Sequence, residues 1–130
     1  MSENPNILIV DDEEQFRKNL IKLLKTKGIS AKEISRGEDA IEELSKNSYD
    51  VILLDLKMPG INGIEVLKEI KKRKILSEVI ILSGHASIDT AFEIMKYGAY
   101  DYIMKPFDIE ELMVKISLAY EKKIEKEKHK

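Results

Sequence analysis

Five times along this chain a short apolar segment is followed by a stretch of helical periodicity, and that alternation leaves few folds open. Ile7-Leu8-Ile9-Val10, Val51-Ile52-Leu53-Leu54 and Val79-Ile80-Ile81-Leu82 are unbroken aliphatic runs, the pattern of strands buried on both faces. Tyr102-Ile103-Met104 is a shorter run of the same kind, and residues 30–34 (Ser-Ala-Lys-Glu-Ile) are the weakest strand candidate. Such runs fall far short of the ~20 apolar residues that span a bilayer.

The intervening segments carry helix signals. Residues 13–27 place Phe16, Leu20, Leu23 and Leu24 on one face and stop at Gly28. Ser35 with Glu38 reads as a capping box opening a helix with Ala40, Ile41 and Leu44 inward, and Asn62 with Glu65 opens a third over Leu67 and Ile70. Ser87 caps a fourth helix bearing Ile88, Ala91, Ile94 and Met95, closed by Gly98. Asp108 with Glu111 opens a fifth, which turns Ile109, Leu112, Met113, Ile116 and Ala119 to the core.

The alternation predicts an α/β fold: a flavodoxin-like (βα)5 doubly wound parallel sheet with strand order 2-1-3-4-5 and right-handed crossovers. In that order the first and third strands meet at the switch point, and ligands bind beyond the carboxyl ends of the strands. Those ends carry Asp11 and Asp12, then Asp55, Ser83, and Lys105 before Pro106. The topology therefore predicts that the three carboxylates converge. Crowded carboxylates raise one another's pKa, and a hard divalent cation relieves them. An all-oxygen donor set favours Mg²⁺. Mg²⁺, an amine and a hydroxyl around a carboxylate suit phosphoryl transfer, with an aspartate able to act as nucleophile.

With 43% hydrophobic and 35% charged residues in 130, the chain suits one soluble domain. A net charge of −2 gives no bulk attraction to nucleic acid or membrane. The absence of cysteine excludes disulfides and thiolate chemistry and is compatible with the cytoplasm. Met1-Ser2-Glu3-Asn4-Pro5 lacks the apolar core of a signal peptide. Residues 121–130 (EKKIEKEKHK) read as a charged helical tail, either a solvated helix end or the start of a linker.

Val10-Asp11-Asp12, Asp55-Leu56-Lys57-Met58-Pro59-Gly60 followed by Asn62-Gly63, Leu82-Ser83-Gly84 and Lys105-Pro106-Phe107 together resemble the receiver domain of two-component response regulators. The resemblance assigns residues 1–120 to that domain and leaves 121–130 as tail or linker. It implies that Asp55 is the phosphoacceptor, taking a phosphoryl group from a phosphohistidine on a sensor histidine kinase. It implies that Asp12 and Asp55 bind Mg²⁺ directly, Asp11 mainly through water, and Lys57 through its main-chain carbonyl. Lys105 and Ser83 would hold the phosphoryl oxygens, and the bond before Pro106 would be cis. Ser83 and Tyr102 would form the switch, reshaping a face made of the fourth helix, fifth strand and fifth helix. The alternative for Tyr102 is plain core packing.

By the same resemblance the chain is a signalling switch in the cytoplasm. It takes part in its own phosphorylation and dephosphorylation and is not a turnover enzyme. Its partners would be the kinase and a downstream target or covalently linked output domain, without direct nucleic-acid or membrane binding. A homodimer would use the switch face, with Lys96 and Asp101 as cross-subunit partners. Ser83 stands where many receivers have Thr, Gly84 leaves the site open, and Lys57 and His85 occupy positions that tune acyl-phosphate hydrolysis. Ser83 to Ala91 and Gly98 to Tyr102 look most like receivers of the nitrogen-regulation type, which precede an ATPase and a DNA-binding domain. Two rivals fit less well. A haloacid-dehalogenase-like phosphatase needs a second Asp where Lys57 stands. A flavodoxin needs a phosphate loop where Asp11-Asp12-Glu13-Glu14 would repel phosphate. A non-phosphorylated interaction module on the same fold is separated by a phosphorylation assay.

Overall fold

The computed structural model describes residues 4–84 and 87–129. Strands β1 (Ile7–Val10), β2 (Ala31–Ile34), β3 (Val51–Asp55), β4 (Glu78–Ser83) and β5 (Asp101–Met104) alternate with helices α1 (Glu14–Thr26), α2 (Gly37–Lys46), α3 (Gly63–Lys72), α4 (Ile88–Lys96) and α5 (Ile109–Lys128). The sheet is parallel throughout in the order β2-β1-β3-β4-β5, the architecture the alternation predicts. Val10 pairs with Ile34 on one side and Leu54 on the other, Asp55 with Leu82, and Ser83 with Met104. The polar residues that end β1, β3 and β4 thus lie along one edge.

Alternate residues of each strand face opposite layers. Leu8, Val10, Ile52, Leu54, Val79 and Ile81 meet Ala40, Val66, Leu67, Ile70 and Ile94 from α2, α3 and α4. Ile7, Ile9, Val51, Leu53, Ile80 and Leu82 meet Leu20, Leu24, Leu112, Ile116 and Ala119 from α1 and α5. Both faces are covered, which is why the strands show no polar alternation.

Most helix starts and stops follow their local signals. Asn62 and Glu65 form a reciprocal capping box, Ser87 accepts from the Thr90 amide, and Asp108 accepts from the Glu110 amide. Gly28 and Gly98 hold positive φ after α1 and α4, and the amides of Ile29 and Ala99 reach back to Leu24 and Ile94 carbonyls. The Ser35–Glu38 capping box does not form. The N-cap of α2 is Arg36, without a side-chain cap. Its first turn lies against the β3–α3 loop, where a Cβ on Gly37 would meet Ile61 and Val66 at 2.8 Å, and Glu38 turns toward Arg36. Leu23, expected inward, is 42% exposed, because the buried stripe of α1 is the narrower one through Leu20 and Leu24.

The charged tail continues α5 to Lys128 and is pinned to the sheet edge opposite the aspartates. Lys123 is buried and pairs at 2.8 Å with both Asp50 and Glu127, while Lys126 pairs at 2.9 Å with buried Glu78. Burial alone would push the Lys123 amine down, but hydrogen bonds to Asp50 and Glu127 outweigh it and the pKa is raised. Lys123→Met is expected to destabilise the domain by about 2 kcal/mol, below the roughly 3–5 of a fully buried pair because Asp50 stays partly solvated. An unchanged urea midpoint would show that the tail adds nothing to stability.

Candidate functional site

The acidic site is built at the carboxyl ends of β1, β3 and β5. Beyond β1, the Asp11 amide donates to the Ile34 carbonyl at 3.1 Å, extending the β1–β2 ladder by one residue. The Asp11 carboxylate is buried, with Oδ1 accepting from the Glu13 amide at 2.9 Å and Oδ2 accepting from Lys105 Nζ at 2.7 Å. Asp12 is exposed, and Asp55, the last residue of β3, is 7% exposed. Carboxylate oxygens of Asp11, Asp12 and Asp55 all lie within 4.8 Å of one another. The convergence predicted from the topology is present.

Lys105 directly follows β5 and precedes a cis bond to Pro106. Its Nζ lies 3.9 Å from Asp55 Oδ1, 3.6 Å from Glu13 Oε1, and 3.9 Å above the Phe16 ring. Phe16 packs edge-on against Phe107 at 6.1 Å, so one braced aromatic ring and three carboxylates steer the amine. The Lys105 amide donates to the Ser83 carbonyl at 2.9 Å, tying this segment to the end of β4. Ser83 itself is fully buried, one residue beyond the Leu82 that pairs with Asp55.

One amine cannot balance three carboxylates. Burial pushes the Asp55 carboxyl up, the charge of Asp11 pushes it further, Lys105 pulls it back, and Asp12 adds both charge and a hydrogen bond. The outcome is a pKa raised to about 7. A cluster of hard oxygen donors, two buried and one exposed, with surplus negative charge fits a divalent cation such as Mg²⁺.

Behind Asp55 the β3–α3 loop is compressed. A Cβ on Gly63 would lie 2.4 Å from the Asp55 carbonyl oxygen and 2.9 Å from Leu56 Cα, and the Gly63 amide donates to the Leu56 carbonyl. The loop runs through buried Leu56, exposed Lys57 and buried Met58. Across the opening, a Cβ on Gly84 would meet nothing within 4 Å among the described residues. His85 lies outside the described residues. Tyr102 is half-buried and packs against the core layer beneath α2, α3 and α4.

Two features escaped the sequence reading. Arg17 and Glu33 flank the Asp11 loop, with no motif to mark them. Helix α4 turns most of its apolar residues to solvent, which the sequence reading did not distinguish. Of its residues Ile94 is the buried one, while Ile88 is 76%, Phe92 74% and Met95 44% exposed. Ile88, Phe92 and Met95 form an i, i+4, i+7 stripe beside Ile94, and periodicity alone cannot say which of two apolar faces meets the core.

A lysine-bridged acidic pocket at the switch point of a (βα)5 sheet defines a phosphoacceptor signalling domain. Residues 7–117 match the response regulator receiver domain, and the chain belongs to that family. It is 41% identical over 118 residues to a putative NtrX-like response regulator of Rickettsia conorii, covering 89% of this chain and 25% of that protein. To the DNA-binding transcriptional regulator NtrC of Escherichia coli K12 it is 35% identical over 113 residues, covering 87% and 24%. The beryllofluoride-activated NtrC4 receiver domain dimer superposes with a TM-score of 0.85 at 33% identity, covering 91% of this chain and 98% of that one. These relatives are of the nitrogen-regulation type, and the chain spans about a quarter of the length of the two curated ones. Among the described residues no helix is long and apolar enough to cross a membrane.

Proposed function

We propose that Asp55 is the phosphoacceptor of this receiver domain and takes its phosphoryl group from the phosphohistidine of a sensor histidine kinase. The observation that carries the reading is a carboxylate 3.9 Å from a lysine amine, whose burial, with the charge of Asp11 beside it, raises its pKa to about 7. In the transfer, an Asp55 carboxylate oxygen attacks phosphorus and the phosphorus–nitrogen bond breaks. The imidazole leaves with the bonding pair and gains a proton. Asp12 and Asp55 would hold Mg²⁺ directly, Asp11 mainly through water, and Lys57 by its main-chain carbonyl. When bound, the cation neutralises charge on the phosphoryl oxygens. Lys105 and Ser83 donate to those oxygens. The acyl phosphate hydrolyses in the same pocket, which makes the domain a switch and not a turnover enzyme.

The added charge draws Ser83 inward and Tyr102 follows, changing the α4–β5–α5 face. That face carries the exposed stripe of Ile88, Phe92 and Met95, apolar surface that suits a partner or a second copy. Of the two charged residues considered for a dimer, Lys96 is exposed and Asp101 is held by Lys115 in its own chain. The partners are the cytoplasmic kinase and a downstream target or linked output domain of a transcription regulator, reached through α5.

The test is incubation with acetyl phosphate and Mg²⁺ followed by intact mass. One phosphoryl group is expected on the wild type, and none on Asp55→Asn or after chelation. An adduct that persists in Asp55→Asn would sink the assignment. No adduct under any condition would favour a non-phosphorylated interaction module.

A further inference from the structure

Arg17 lies on α1, outside every motif of the site. Its Nη1 donates to the main-chain carbonyl of Asp11 at 2.9 Å, and its Nε donates to Glu33 Oε1 at 2.8 Å. The guanidinium side chain is 13% exposed, and the second nearby cation, Lys18, stays 3.8 Å from Glu33. We propose that Arg17, oriented by Glu33, is a positioning residue for the metal site, holding the Asp11–Asp12 peptide so that the Asp12 carboxylate faces Asp55. The proposal rests on the reading of this pocket as a Mg²⁺ site.

Four contacts hold Asp11: its amide to Ile34, Oδ1 to the Glu13 amide, Oδ2 to Lys105, and its carbonyl to Arg17. Asp12 is held less: its side chain meets Asp55 by a hydrogen bond. It is exposed, and its direction is set by the peptide it shares with Asp11. That peptide is planar and stiff, so fixing its carbonyl fixes where the Asp12 Cα begins. The Glu13 amide bond to Asp11 Oδ1 closes a turn over this peptide, and Arg17 grips the peptide's own carbonyl.

The choice of residue fits the task. A guanidinium serves two acceptors in fixed directions, which an ammonium on a flexible stem does not. Glu33 balances the charge of Arg17, so the guanidinium orients the acidic loop without replacing the cation there. Partners that orient metal ligands typically change affinity by about 10–100-fold when removed.

The test is Mg²⁺ titration by calorimetry on wild type, Arg17→Met, Arg17→Lys and Glu33→Gln, each checked for folding by circular dichroism and urea midpoint. Arg17→Met is expected to weaken Mg²⁺ binding about tenfold. Arg17→Lys is expected to stay weak, since it restores charge but not the two-pronged geometry. Glu33→Gln should shift less, in the same direction. A role confined to stapling α1 to β2 would move the urea midpoint and leave the Mg²⁺ affinity of the folded protein unchanged, and that result overturns the proposal. Should Arg17→Met fail to fold, wild-type affinity in both Arg17→Lys and Glu33→Gln overturns it instead. Failure of the wild type itself to bind Mg²⁺ defeats the underlying reading of the pocket, and is seen in that arm alone.

Discussion

Replacing the proposed phosphoacceptor should make the metal-free protein more stable: Asp55→Asn is expected to gain about 3 kcal/mol above neutral pH. The reason lies in the sign of the Asp55 shift. Its carboxyl titrates near 3.8 when unfolded and at about 7 when folded. Below the unfolded value both states hold the proton, and the residue contributes nothing to the pH dependence. Between the two values the unfolded chain releases its proton while the folded chain keeps it, so stability falls by about 1.4 kcal/mol per pH unit. Above about 7 the loss is complete, at most about 4 kcal/mol for a shift of this size. Asparagine keeps the shape and removes the charge, but its amide needs partners of its own, so the expected gain is smaller. Urea unfolding in chelator at about pH 5 and about pH 8 measures it. The advantage of Asp55→Asn should be small at the lower pH and several-fold larger at the higher. Equal differences at both would mean that the pocket does not strain this carboxylate.

The site is legible in the sequence because of where its residues fall on the strands. Asp11, Asp12, Asp55, Ser83 and Lys105 each follow an apolar run, and a parallel sheet aligns the ends of its strands whatever the details of packing. Strand order then follows from few topological rules, and the observed order agrees. What failed was information carried by the third dimension alone. The Ser35–Glu38 pair has the letters of a capping box, but α2 starts where Gly37 can press against Ile61. Ile88 and Met95 have core-like side chains, yet α4 turns Ile94 inward and leaves them in solvent. Phe16 reads as a core residue of α1 and proves to be a platform for the Lys105 amine. Arg17 and Glu33 are 16 residues apart and meet between α1 and β2, where single-sequence spacing gives no signal.

Phosphorylation should depend on pH in a way that Mg²⁺ removes. The nucleophile must be the ionised carboxylate, and without cation Asp55 loses its proton at about 7. At subsaturating Mg²⁺, about nine-tenths of Asp55 is protonated at about pH 6 and about a tenth at about pH 8. The initial rate of adduct formation from acetyl phosphate should therefore be about tenfold lower at the more acid pH. Cation and proton compete for the same oxygens, so binding one expels the other and Mg²⁺ affinity itself rises with pH until about 7. At saturating Mg²⁺ the carboxylate is held ionised across this range, and the rate ratio should shrink to less than about twofold. Intact mass against time at two pH values and two Mg²⁺ concentrations decides the matter. If the ratio is the same at both concentrations, proton and cation are not exchanging at Asp55. Lys105→Met sharpens the comparison: without the amine beside Asp11 and Asp55, the negative charge is less balanced. The subsaturating profile should then move to still higher pH, while a profile that stays in place would show that the amine acts on the phosphoryl oxygens and not on the ionisation of Asp55.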